Sequence, residues 1–332
     1  MNTIDTEELS GKLRAKAIDL NEKKILITNY QGSEQEKDLT EPANCAGFGR
    51  IRHFKLKPGG NWPENPLPIE PARKYLGLPA LSEIRAQVFQ NSICNWRCWY
   101  CFVDFKLLNG DSRFSKFLSC DELLDLYLAE DNRPIMIDLS GGQPDLTPEW
   151  VPWMMEAIRN RGLENQIFLW SDDNLSNDYF WKYLTPEQID LVTSYRMYAR
   201  VCCFKGIDEQ SFTLNTLADP KLFSEQFRLF QRLWEMNIDL YGYVTLTAPS
   251  ATDFSVAISR FLDRLQAIHE DLPLKIVPLK VFEFTPSQSR HNVDKKDLIK
   301  GQELAISIWK SEIYSRFSIE KLQKPIYEIR NS

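Results

Sequence analysis

The stretch AQVFQNSICNWRCWYC, residues 86–101, runs from a short strand-like segment into a loop that carries Cys94, Cys98 and Cys101. The whole chain has only seven cysteines in 332 residues, so three within eight positions is a concentrated use of thiol. An odd count without paired spacing suits a reducing compartment better than a disulfide framework. Structural zinc closes its shell with four ligands, usually from two C-x-x-C elements, and no second pair occurs here. Three thiolates at C-x3-C-x2-C spacing suit a [4Fe–4S] cluster in which one iron keeps no protein ligand. Two other readings stay open at this point. One is a closed four-cysteine iron–sulfur module for electron transfer or binding, with Cys45 or Cys120 as the fourth ligand. The other is zinc with a distant fourth ligand.

Outward from this loop the pattern becomes regular. Residues 86–92 read as a strand, and PIMIDLS (134–140), NQIFLWS (165–171), VCCFKG (201–206), IDLYGYVTL (238–246) and LKIVPLKVF (274–282) read as five more. Helical patterns lie between them, around 120–130, from Pro148, over 221–236 and over 254–269. A closing stripe is formed by Leu298, Ala305, Ile308, Trp309 and Ile313. Thr147 ahead of Pro148 and Glu149 reads as a helix cap. Strict alternation predicts a parallel sheet with helices outside it, and six units fall short of the eight that close a barrel. The expected fold class is therefore α/β, a partial parallel (β/α)6 barrel over 86–317. An N-terminal extension (1–85) precedes it and a short tail (318–332) follows.

The extension begins with a helical pattern at 6–20 and a strand at 24–30. Residues 47–79 follow, where prolines 58, 63, 66, 68, 71 and 79 argue against regular helix or central strand. With Phe48, Phe54 and Trp62 this stretch reads as an ordered cover or lid over one end of the barrel. The adjacent Cys202 and Cys203 point to opposite faces of a strand and read as core residues. The three histidines, His53, His269 and His291, fall at no strand end of the barrel.

Cys94-Asn-Trp-Arg-Cys98-Trp-Tyr100-Cys101 resembles the signature of the radical SAM enzymes, C-x3-C-x2-C with an aromatic residue before the last cysteine. Asp138-Leu-Ser-Gly141-Gly142-Gln143-Pro144 is similar to the GGEP motif that ends the second barrel strand in that family, with Gln143 in place of Glu. The resemblance spans 86–317 and implies one [4Fe–4S] cluster held by Cys94, Cys98 and Cys101. S-adenosylmethionine would chelate the open iron and be cleaved reductively to a 5′-deoxyadenosyl radical that takes hydrogen from a substrate. It implies further that Gly141, Gly142, Gln143 and Pro144 hold the methionine end of the cofactor. Ser171 or Asp172 would meet its ribose or carboxylate, with Asn174 beside them, and Tyr100 its adenine. Val201-Cys-Cys-Phe-Lys205-Gly-Ile-Asp208 is similar to the fourth-strand segment of glycyl-radical activating enzymes, which puts Lys205 near the cofactor. Cys203 stands where those relatives often place an acid. The resemblance also implies an oxygen-sensitive protein served by a flavodoxin or ferredoxin. The extension favours a small or medium substrate, with a glycyl-radical protein, RNA or peptide as alternatives within the class. No substrate-side catalytic residue is legible.

Charge narrows the partners. A net charge of −6 and a pI near 5.4 argue against a general affinity for nucleic acid or an anionic membrane. No apolar run reaches membrane-spanning length, and the polar start is unlike a signal peptide. The cytoplasm is the expected location.

Overall fold

The computed structural model describes residues 3–57, 63–290 and 294–329; Pro58, Trp62 and His291 lie outside them. The strands are β1 (Ile18–Asp19), β2 (Lys24–Thr28), β3 (Gly49–Lys55), β4 (Glu83–Gln90), β5 (Ser115–Ser119), β6 (Met136–Ser140), β7 (Phe168–Asp173), β8 (Tyr198–Phe204), β9 (Leu240–Thr245) and β10 (Ile276–Leu279). The helices used below are α1 (Thr6–Ala17), α2 (Ile69–Leu76), α3 (Cys120–Leu128), α4 (Trp150–Asn160), α5 (Tyr179–Tyr183), α6 (Pro186–Ser194), α7 (Glu209–Thr216), α8 (Leu222–Trp234), α9 (Phe254–Ile268), α10 (Thr285–Gln288) and α11 (Lys295–Arg316).

The main sheet has the order β10-β9-β8-β7-β6-β4-β3. Its first six members pair in parallel, through registers such as Val88↔Asp138, Asp138↔Trp170 and Val201↔Tyr241. This is the expected partial (β/α)6 barrel. The seventh strand, β3, pairs antiparallel with β4 from Gly49↔Phe89 to Lys55↔Glu83. A second, antiparallel sheet of order β1-β2-β5 stands beside it.

Alternation along each strand separates two apolar layers. Outward-facing Leu139, Leu169, Cys202, Phe204 and Val244 pack under the helices, among them Trp150, Phe230 and Phe261. Phe204 alone meets the rings of Phe227, Phe230 and Phe261 at 5.0–5.4 Å. Inward-facing Ala86, Met136, Phe168 and Val201 form a second core with Phe54, Leu67, Ile69, Ala72 and Ile326. Part of the extension and part of the tail thus plug the N-terminal end of the barrel.

Two expectations for the extension are corrected. Residues 47–79 contain the regular helix α2, against that expectation; β3, where no proline falls within 49–55, is an edge strand and not a central one. Pro68 and Pro71 sit at the cap and first turn of α2, where a missing N–H costs nothing. The first helix ends at Ala17, since Ile18 and Asp19 turn into β1. The cap at Thr147 is also corrected. Helix α4 begins at Trp150, and the Thr147 hydroxyl instead accepts from Asn91 Nδ2 at 2.9 Å.

Candidate active site

The loop after β4 is fastened from outside. Cys94 N–H donates to Leu108 O (3.1 Å), Arg97 N–H to Thr216 O (3.1 Å) and Trp99 N–H to Asn215 O (3.3 Å). Trp96 and Trp99 are buried beneath the loop, their indole N–H groups donating to Thr6 Oγ1 (3.2 Å) and Asn215 Oδ1 (2.9 Å). Arg290 completes the fastening. Its guanidinium donates to Cys98 O (3.2 Å), Trp99 O (3.1 Å), Cys101 O (2.6 Å) and Val103 O (2.7 Å), and lies 3.7 Å over the Phe105 ring. With its backbone spent on these contacts, the loop lines a cleft at the C-terminal ends of the strands with Cys94, Cys98 and Cys101.

The turn after β6 closes one side of that cleft. Gly141 (φ 65°) and Gly142 (φ 60°) both adopt left-handed backbone. A Cβ on Gly141 would stand 2.3 Å from Gln90 Cγ, and one on Gly142 2.3 Å from the Ile93 carbonyl. Only glycine lets this strand edge approach the cysteine loop so closely. Gln143 N–H donates to Ile93 O at 2.7 Å, tying the turn to the residue before Cys94.

Of the remaining sequence candidates, Tyr100, Gln143, Asp172, Asn174 and Lys205 also line the cleft. Tyr100 Oη bonds Thr245 Oγ1 at 2.9 Å. Asp172 accepts from the Ser140 hydroxyl. Asn174 is anchored through its N–H to Gln143 Oε1 (2.9 Å), while its buried Oδ1 has no partner among the described residues. Lys205 is half-buried and lies within electrostatic reach of Cys98, Cys101 and Tyr100. It is not a solvated strand-end lysine.

Ser171 and Pro144 are not brought to the cleft. Ser171 is fully buried on the outer face, with its hydroxyl 2.7 Å from Tyr198 Oη. Pro144 opens a short 3-10 turn behind the glycine edge. The Gln143 side chain is structural as well, since Nε2 donates to Asp173 Oδ1 at 2.8 Å. A glutamate there would face Asp173 with a second carboxylate. Behind this turn Arg200 closes a two-pronged pair with Asp145 (2.9 and 3.0 Å) and donates to Tyr198 Oη (3.1 Å).

The other thiols sit elsewhere. Cys120 Sγ is 3.8 Å from Trp150 O under α4, and Cys45 lies at Glu130, whose carboxylate takes the Cys45 N–H. Cys202 and Cys203 face opposite layers as expected, and Cys203 reaches the cleft wall. His53 is held between Glu41 and Glu83 on the far side of β3, and His269 caps α9.

Burial pushes the Cys94 thiol up against the pull of Arg97, and the Cys98 thiol up to about 12 against the pull of Lys205. A metal centre binding there must displace those protons. Among the described residues no three His, Cys, Asp or Glu side chains are gathered to hold a single ion. A cubane differs in taking each thiolate on its own iron. The donor set fits such a group: three sulfurs on one loop, a cation beside them, a glycine edge and an unpartnered amide oxygen at Asn174.

The chain resembles the radical SAM enzymes in its cysteine spacing, in the Gly-Gly-x-Pro edge and in the partial barrel that carries both. No family model matches the sequence, and no curated protein matches it significantly. Solved structures of partly similar chain path exist. Streptococcus suis SuiB bound to S-adenosylmethionine matches at 16% identity and a TM-score of 0.44, over 67% of this chain and 46% of its own. The anSMEcpe protein with bound AdoMet and Cp18Cys peptide matches at 14% identity and a TM-score of 0.42, over 68% and 58%. The chain thus spans less than two thirds of the length of either structure.

Proposed function

We propose that the chain is a single-cluster radical SAM enzyme. The observation that carries this reading is the meeting of Cys94, Cys98 and Cys101 with the Gly141–Gly142 edge in one cleft, from which Cys45 and Cys120 are both remote. When bound, a [4Fe–4S] cluster would supply the electron that cleaves S-adenosylmethionine to methionine and a 5′-deoxyadenosyl radical.

The chain's own residues then have distinct tasks. The three cysteines hold the cluster from one side. The main chain of Gly141 and Gly142, with Asn174 Oδ1, offers hydrogen-bonding groups to the amino end of the cofactor. Lys205 supplies a positive charge for its carboxylate, and Asp172 an acceptor for its ribose. Tyr100 forms an apolar wall for the adenine, its hydroxyl already spent on Thr245. Phe102, Phe282 and Phe284 on the outer rim limit water in the cleft. The electron donor is a flavodoxin or ferredoxin, the substrate is small or medium, and the location is the cytoplasm. No helix among the described residues is long and apolar enough to cross a membrane.

Anaerobic reconstitution tests the reading. The protein should bind about four irons, and Cys94→Ala, Cys98→Ala and Cys101→Ala should each abolish 5′-deoxyadenosine formation. Retained cleavage in Cys98→Ala would overturn the ligand assignment. The rival closed four-cysteine module predicts a reduced-cluster electron paramagnetic resonance signal indifferent to S-adenosylmethionine, whereas an open iron predicts a changed one.

A further inference from the structure

The inner end of the cleft holds a polar group that the cofactor reading leaves unused. Arg52 lies on the inner face of β3 with its guanidinium 4.1 Å over the Phe54 ring, and it lines the cleft. Its nearest anion is Asp138, at 3.7 Å from Nη1 to Oδ2. That is too long for a hydrogen bond, and both Asp138 oxygens are buried without a partner among the described residues.

An arginine placed only to neutralise a buried carboxylate closes on it, because the planar fork matches two oxygens. The molecule does this twice elsewhere. Arg200 grips Asp145 at 2.9 and 3.0 Å, and Arg14 grips Glu149 with both Nη atoms. Arg52 keeps its fork open toward the cavity instead. Burial, and repulsion from Asp172 in the same cleft, push Asp138 toward its neutral form, so that Asp138 answers little of the charge of Arg52.

Two further polar groups stand at this end. Asn65 and Tyr243 both line the cleft. The Asn65 amide nitrogen donates to Tyr243 Oη at 3.1 Å, and the Tyr243 hydroxyl is turned to Asn65 Oδ1 (3.3 Å) and Leu67 O (3.4 Å), so the phenol holds the amide in place. The second hydrogen of the Asn65 amide joins the Arg52 guanidinium as a donor for a planar oxyanion. The aromatic rim of Phe102, Phe282 and Phe284 belongs to the same cleft and suits an apolar body.

We propose that this inner end is the substrate subsite and that it takes a carboxylate carried on an apolar or aromatic body, gripped by Arg52 with Asn65 and Tyr243 alongside. Calling the ligand a substrate rests on the radical SAM reading; the preference for carboxylate does not. Arg52 and Asn65 both come from the N-terminal extension, which is thereby assigned to substrate choice.

The test uses the whole chain, anaerobically purified, with 3-phenylpropionate, 3-phenylpropionamide and 2-phenylethylammonium as probes in calorimetric or ligand-observed NMR titrations. The carboxylate should bind about tenfold tighter than the amide, the scale of a charge-assisted hydrogen bond. Arg52→Gln should erase that preference, Arg52→Lys should keep part of it, and Tyr243→Phe should weaken it about threefold by releasing the Asn65 amide that the phenol holds. Circular dichroism should show each variant folded. Equal binding of carboxylate and amide, preference for the ammonium, no binding of any probe to the wild type, or an unchanged preference in Arg52→Gln would each overturn the proposal. Iron content and 5′-deoxyadenosine formation are measured on the same samples. Lost cleavage with retained carboxylate preference sinks the reaction and leaves the subsite standing, and the reverse result does the opposite.

Discussion

The two faces of the main sheet treat buried charge in opposite ways. On the outer face Arg200 and Asp145 close completely on each other, and Tyr198 and Ser171 extend the network beneath the helices. On the inner face Arg52 and Asp138 stand 3.7 Å apart and never close. A closed pair holds backbone in place, and here it props the turn that carries Gly141 and Gly142. An open pair in a cleft stores recognition that a ligand can use. Burial alone does not distinguish the two; the satisfaction of the hydrogen-bonding groups does.

This contrast can be broken at several points. Asp145→Ala should have the largest effect, because it removes both carboxylate hydrogen bonds of the buried Arg200 guanidinium and leaves only Asp173, 3.6 Å away, as a counter-charge. We expect a loss of about 3–5 kcal/mol, read as a lower urea midpoint. Arg290→Gln removes a cation shared by four main-chain carbonyls, of which only Cys98 O keeps another donor, the Cys101 N–H at 3.0 Å. It should cost about 2–3 kcal/mol and release iron from the reconstituted protein faster than the wild type does.

Gln143→Glu comes next. It replaces the donor to Asp173 with a second carboxylate and should cost about 1–3 kcal/mol. Two facing carboxylates share one proton more readily than none, so burial and repulsion raise the affinity of the new acid for its proton. The destabilisation should therefore be smaller at pH 5, where the added acid is protonated, and larger at pH 8. Equal losses at both pH values would contradict the placement of Asp173. Ser171→Ala removes one hydrogen bond to Tyr198 and should cost about 1 kcal/mol, with S-adenosylmethionine binding unchanged. Arg52→Gln should change stability by less than about 1 kcal/mol, since no closed pair is lost. A loss as large as that of Asp145→Ala would show the inner pair to be structural.

The cysteine loop, the glycine edge and the alternation of strands and helices were legible because each is a local pattern. Spacing within eight residues places the three thiols together, and period-2 runs mark the strands. The choice between Ser171 and Asp172 stayed open in the sequence for a reason of parity. Parallel strands are apolar on both faces, so FLW in β7 does not tell which of Ser171 and Asp172 faces inward; packing of Phe168 and Trp170 against the barrel plug decides it. Arg52, Asn65, Tyr243 and Arg290 carry no local signal. Their meeting with the cleft depends on β3 joining the sheet backwards beside β4, and on the segment after β10 folding onto the cysteine loop.

The backward strand has an effect on how such a chain can diverge. On the proposed reading, Arg52 and Asn65, which would select the guest, lie on one stretch of polypeptide and the three cysteines on another, with the ladder between Gly49–Lys55 and Glu83–Gln90 holding the two side by side. Drift or exchange in the first stretch can retune what is admitted while the sulfur-bearing loop is inherited intact.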